Sequence, residues 1–72
     1  MFEVNDVVRI KRGNGRYGML WDGSSEEEEI ELKGGDEGII IDILGEEASV
    51  QMTTGEYTDE IIFISFSDIK SI

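Results

Sequence analysis

The sequence predicts an all-β domain: a small barrel of about five short strands with one long acidic loop early in the chain and one helical turn before the last strand. Three observations lead there. Isoleucine, valine and threonine recur in short runs separated by glycine-rich punctuation, a pattern of strands and turns. No segment sustains the i, i+3, i+4, i+7 apolar spacing of a long helix. With 72 residues the chain has no helices to spare for covering an open sheet, and closure would hide both edges.

The first strand is expected from about Val4 to Lys11, where Val8 and Ile10 alternate with Arg9 and Lys11, placing two aliphatic side chains inward and two bases in water. Asn14-Gly15 then forms a turn, because both residues tolerate positive φ. Tyr17 to Trp21 reads as a short strand or ordered loop returning along Glu29-Ile30-Glu31-Leu32, with Ile30 and Leu32 facing inward. Between them, residues 22–29 form a mobile acidic loop: Ser24-Ser25-Glu26-Glu27-Glu28 repels itself and holds nothing to pack. Gly34 to Gly38 punctuates the chain before Ile39 to Leu44, the most apolar strand. Neither face of that strand is wholly polar, which calls for a bulge, a sharp bend or an interface on the outer face. A turn at Gly45-Glu46-Glu47 leads into Ala48 to Thr53, with Ala48, Val50 and Met52 inward. A further turn at Thr54-Gly55-Glu56 leads into Tyr57 to Ile64. Ser67-Asp68-Ile69 reads as one helical turn capped by Ser67, and Lys70 to Ile72 as a closing strand.

Seventeen acidic residues against six basic ones give a formal charge of -11, and histidine and cysteine are both absent. Disulfides, thiolate ligands and cysteine nucleophiles are thereby excluded. General acid–base chemistry near neutral pH would need a carboxylate raised by burial, whereas these carboxylates sit in hydrophilic turns. The serines have no imidazole base and no nucleophile-elbow context. The chain is therefore expected to be no enzyme and to need no cofactor. Residues 22–29 hold oxygen ligands without EF-hand spacing, so a specific metal site is not expected. Gly13, Gly15 and Gly18 beside Arg12 and Arg16 lack the Gly-Lys-Ser/Thr ending of a phosphate loop and read as turn residues. The N-terminus carries neither a basic flank nor an apolar run, and the longest apolar run is too short to cross a bilayer, so a cytoplasmic protein with no membrane role is expected.

The opening Val4-x-x-x-Val8-x-Ile10, the long variable loop, Gly35-Asp36-Glu37-Gly38-Ile39-Ile40, Ala48-Ser49-Val50-Gln51-Met52 and the ending Phe66-Ser67-Asp68-Ile69-Lys70-Ser71-Ile72 together resemble the SH3-like barrel superfamily in its KOW-type and translation-factor-like variants. The layout is also similar to nitrogen-fixation accessory barrel proteins and to the variable chain of ferredoxin-thioredoxin reductase. The resemblance spans nearly the whole chain, through motifs that many barrels share, and its likeness to the second of these groups implies a non-catalytic companion subunit. The chain lacks the basic loops of the nucleic-acid-binding members, carrying Glu26-Glu27-Glu28-Glu29 instead. It also lacks the aromatic grouping of methyl-lysine readers.

The leading expectation is a protein–protein interaction module, an accessory subunit or regulator that binds a basic protein surface. Its candidate partner-binding residues are Tyr17, Met19 and Trp21, which would supply buried contact area, and Glu26, Glu27, Glu28 and Glu29, which would steer the encounter. Trp21 keeps two readings, a binding anchor or a plug for the barrel end; Tyr57, Phe63 and Phe66 read as core or rim. One alternative is an acidic mimic that occupies a nucleic-acid-binding groove with carboxylates in place of phosphates. Another is a small KOW-like nucleic-acid binder using Arg9, Lys11, Arg12 and Arg16, which the acidic field disfavours.

Overall fold

The computed structural model describes residues 2–13, 15–21, 23 and 27–72. Asn14 of the expected turn, together with Asp22, Ser24, Ser25 and Glu26 of the expected acidic loop, lies outside the described residues. The strands are β1 (Val7–Ile10), β2 (Tyr17–Trp21), β3 (Glu27–Glu31), β4 (Glu37–Leu44), β5 (Glu47–Met52), β6 (Ile61–Ser65) and β7 (Ile69–Ser71). A 3-10 turn, Phe66–Asp68, precedes β7. Every pairing is antiparallel.

The sheet is not closed into a barrel. Among the described residues its seven strands run in the order β3-β2-β6-β5-β4-β1-β7, and the ladder ends at β3 on one side and β7 on the other. The expected five-strand barrel and the SH3-like resemblance built on it are both corrected by that order. The inner face is covered by other means. Ile30 of β3 and Ile69 of β7, at opposite ends of the sheet, belong to one core with Val8, Ile10, Ile40, Val50, Ile62 and Ile64. One continuous sheet brings its two ends onto a shared core only by curling. Where its ends approach, side chains bridge them: Arg16 Nη1 lies 2.8 Å from Asp68 Oδ1, joining the start of β2 to the turn before β7. The crossing segment between β3 and β4 lies against the end of β1, with the Gly35 N–H donating to the Ile10 carbonyl at 2.9 Å and the Ile10 N–H to the Asp36 carbonyl at 2.8 Å.

The described end of the expected acidic loop, residues 27–29, is strand and not loop. Glu27, Glu28 and Glu29 lie in β3 opposite Trp21, Leu20 and Met19. Successive glutamates on a strand point to opposite faces, which spreads their repulsion, and ladder hydrogen bonds offset the rest. The helical turn falls one residue earlier than the serine pattern suggests, because Ser65, not Ser67, caps it: its Oγ accepts from the Ser67 N–H at 3.3 Å.

In β4 the register with β5 shifts between Ile40 and Asp42, so Ile41 is the extra residue of a bulge. The bulge lets Ile40 stay buried while Ile41 turns outward, and it accounts for the broken alternation of this strand. Two glycines are set by space. A Cβ on Gly38 would lie 2.5 Å from Val50 Cγ1 and 2.8 Å from the Gln51 carbonyl oxygen; on Gly18 it would lie 2.8 Å from Ile62 Cγ2. Both therefore permit close strand packing over the core.

Candidate functional site

The side-chain alternation of β2 separates its two faces. Gly18 is buried and Leu20 packs against the core, so Tyr17, Met19 and Trp21 project from the opposite, outer face. They are not core residues: Tyr17 is 49% and Trp21 39% exposed. The core is flanked instead by Tyr57, Phe2 and Phe66, the last two stacked with ring centroids 5.2 Å apart. Trp21 thus stands on the sheet surface.

The neighbours of this stripe come from strands distant in sequence. On one side β3 sets Glu31 opposite Tyr17, Glu29 opposite Met19 and Glu27 opposite Trp21. On the other side β6 sets Phe63 opposite Met19 and Ile61 opposite Trp21. Facing residues of neighbouring strands share a face, so an apolar strip two strands wide is bordered by a row of carboxylates. Between Tyr17, Met19, Phe63 and Ser65 the surface dips into a shallow depression of about 150 Å³, with Glu29 on one rim and Glu47 on another. Its floor suits an aliphatic stem and its rims suit a cationic head, the two halves of a lysine or arginine side chain.

Of the seven residues expected to bind a partner, the structure brings Tyr17, Met19, Trp21, Glu27 and Glu29 onto this face. Glu28 pairs with Leu20 and points to the other face; Glu26 lies outside the described residues. Phe63, Ile61 and Glu47 belong to the surface too. Phe63, expected from the sequence in the core or at its rim, lies on the outer face instead: Ile62 and Ile64 are the buried residues of β6, and alternation turns Phe63 away from them. For Glu47 no sequence signal exists, because it joins the site only through the order β5-β6-β2.

The basic N-terminal cluster is partly engaged elsewhere. Arg9 reaches the Glu37 carboxylate at 2.7 Å, and Arg16, besides its pair with Asp68, donates to the Arg12 carbonyl oxygen. A second, larger cavity of about 490 Å³ lies at the end of β3, lined by Gly13, Glu31, Leu32, Lys33, Gly34, Glu56 and Tyr57. There the Tyr57 phenol is held above its ordinary value of 10.0, by loss of surrounding water first, then by the charge of Glu56 and a hydrogen bond to it, and by the charge of Glu28. Among the described residues no group of three or more acidic side chains converges closely enough to hold a metal ion, and no helix is long and apolar enough to cross a membrane. In comparisons with protein-family models, curated proteins and solved structures, nothing matches this chain.

Proposed function

We propose that the chain is a non-catalytic protein-interaction module of the cytoplasm, an accessory subunit or regulator that uses the outer face of β2 and β6 to hold a basic protein surface. The observation that carries this reading is the depression with the apolar floor of Met19 and Phe63 and the carboxylate rims of Glu29 and Glu47. A lysine or arginine seated there would lay its methylenes on the floor and its charge between the rims, while Tyr17 and Trp21 add contact area on either side. The net charge of -11 would draw such a partner in and hold a second copy of this chain off. The acidic-mimic reading uses the same glutamates but leaves the apolar floor without a role, which favours a protein partner over a decoy for nucleic-acid grooves. In support of a protein partner, the described N-terminal bases Arg9 and Arg16 are already committed to ion pairs.

The test is affinity capture from the native cell with the wild-type chain and two variants, Met19→Asp and the pair Glu29→Lys with Glu47→Lys. The expected result is a basic protein retained by the wild type and lost by both variants while their melting temperatures stay near wild type. Retention by both variants would assign the interaction to another surface.

A further inference from the structure

The free edge of β3 carries an inference that rests on the interaction reading above and names the shape of the partner. The Leu32 N–H donates to the Arg16 carbonyl oxygen at 2.8 Å, just beyond the β2–β3 ladder. In an antiparallel pair, hydrogen-bonded and non-hydrogen-bonded couples alternate. With Arg16 and Leu32 hydrogen-bonded, the register makes Gly18/Ile30 and Leu20/Glu28 the next hydrogen-bonded couples. The peptide groups of Glu29 and Glu31 therefore point away from β2, toward the open side of the sheet. Among the described residues nothing donates to or accepts from them.

This edge differs from its counterpart. β7 is three residues long and carries Lys70. β3 has five residues, and those whose peptide groups face outward also project their carboxylates onto the outer face, beside Tyr17 and Met19. Such charges keep two copies of this chain from pairing edge to edge, since each would set glutamate against glutamate. The same charges match a strand of opposite pattern.

We propose that β3 accepts an extended segment of a partner protein as an eighth strand, and that this segment carries lysine or arginine at every second residue. Side chains on an added strand that face Glu27, Glu29 and Glu31 lie on the same side of the sheet as those glutamates. Bases at i, i+2 and i+4 thus meet a carboxylate each, and the base opposite Glu29 sits next to the rim of the depression. The cavity of about 490 Å³ beside Glu31 leaves open space at the end of β3 for the segment to continue, toward Glu56 and Tyr57. Backbone hydrogen bonds to Glu29 and Glu31 supply affinity and the alternation supplies register.

Two nine-residue probe peptides of identical composition test this, one with lysine at alternate positions and one with the same lysines in a block, titrated into the ¹⁵N-labelled chain at a fixed, low salt concentration. The expected result is that the alternating peptide binds at least about tenfold tighter and slows exchange of the Glu29 and Glu31 amides. Glu29→Gln should weaken it about threefold, the size of one cross-strand charge pair. Equal binding of the two peptides, or binding with those amides unprotected, overturns the inference. If shifts then centre on Met19 and Phe63, the interaction reading survives and only the added strand is lost. Absence of binding by both peptides overturns the inference while capture through Met19, Glu29 and Glu47 still decides the broader reading.

Discussion

Gly38→Ala should cost the domain a large part of its stability through space alone. Gly38 sits in β4 between Val8 of β1 and Met52 of β5, in the middle of the sheet. Its φ lies outside the left-handed region, so alanine meets no backbone objection there. The obstacle is contact: the new methyl would lie 2.5 Å from Val50 Cγ1, 2.8 Å from the Gln51 carbonyl oxygen and 3.2 Å from Met52 Cα. Two of those three atoms are backbone of the neighbouring strand, so β4 and β5 must separate or shear. Overpacking of this kind costs about 1–3 kcal/mol, and the backbone contacts place this case at the upper end. A domain of this length holds roughly 4–11 kcal/mol in all. A loss of about 3 kcal/mol corresponds to a fall in melting temperature of about 12–24 °C. Thermal melts followed by far-ultraviolet circular dichroism read this directly. Gly45→Asn is the control: Gly45 has φ +62° and nothing within 4 Å of its would-be Cβ, and asparagine tolerates that conformation, so its melt should move only a few degrees. If Gly38→Ala melted within about 4 °C of the wild type, β4 and β5 would not pack closely enough for a methyl at position 38 to collide, and space would not be what requires glycine there.

Four further outcomes are expected. Trp21→Ala, on the outer face, should cost less than about 2 kcal/mol of stability, below the roughly 3–5 kcal/mol of a fully buried tryptophan, yet weaken partner capture, checked by parallel melts and binding; a loss in the buried range would make Trp21 a structural plug. A double-mutant cycle of Arg16→Met and Asp68→Asn should give a coupling of about 1 kcal/mol across the curled sheet in denaturant titrations, a value already discounted for the partial exposure of both groups; coupling near zero would mean that the core alone holds the ends together. Tyr57 should titrate above 10.0 in ultraviolet absorbance, and Glu56→Gln should bring it down. Because the fold favours the protonated phenol, that contribution to stability is complete below pH 10 and is lost as pH rises through the raised value; a midpoint at or below 10.0 contradicts the placement of Glu56 and Glu28 around the ring. Raising salt should slow association with the basic partner far more than it speeds dissociation, as stopped-flow mixing would record; an unchanged association rate removes the steering role of the glutamates.

Local pattern was enough to define much of this chain. Alternation marked Val8, Ile10, Ile30, Leu32, Ala48, Val50 and Met52 as inward, and all are buried. It also marked the uneven run of Ile39 to Leu44, where the bulge at Ile41 lies. The same period, applied to β2, is what places Tyr17, Met19 and Trp21 on one face. Where the reading went astray, long-range pairing was responsible. The acidic run looked self-repelling in isolation, yet β2 supplied a hydrogen-bonding partner and Glu27 to Glu29 became strand. The barrel was expected because an open sheet needs a cover, and a curled sheet with Arg16 and Asp68 across its gap supplies that cover without a closed ladder.

By itself the sequence determined that this is a β protein with a strongly negative surface, without imidazole or thiol chemistry, and with one side of each clearly alternating strand turned inward, since all of these depend on residue type and a two-residue period. Only the tertiary structure decided that β2 lies beside β6, that β3 ends the sheet among the described residues, and that Glu29 and Glu47 border one depression with Met19 and Phe63. Strand order and edges are set by the packing of many side chains around one core, and that collective choice leaves no mark at any single position of the chain.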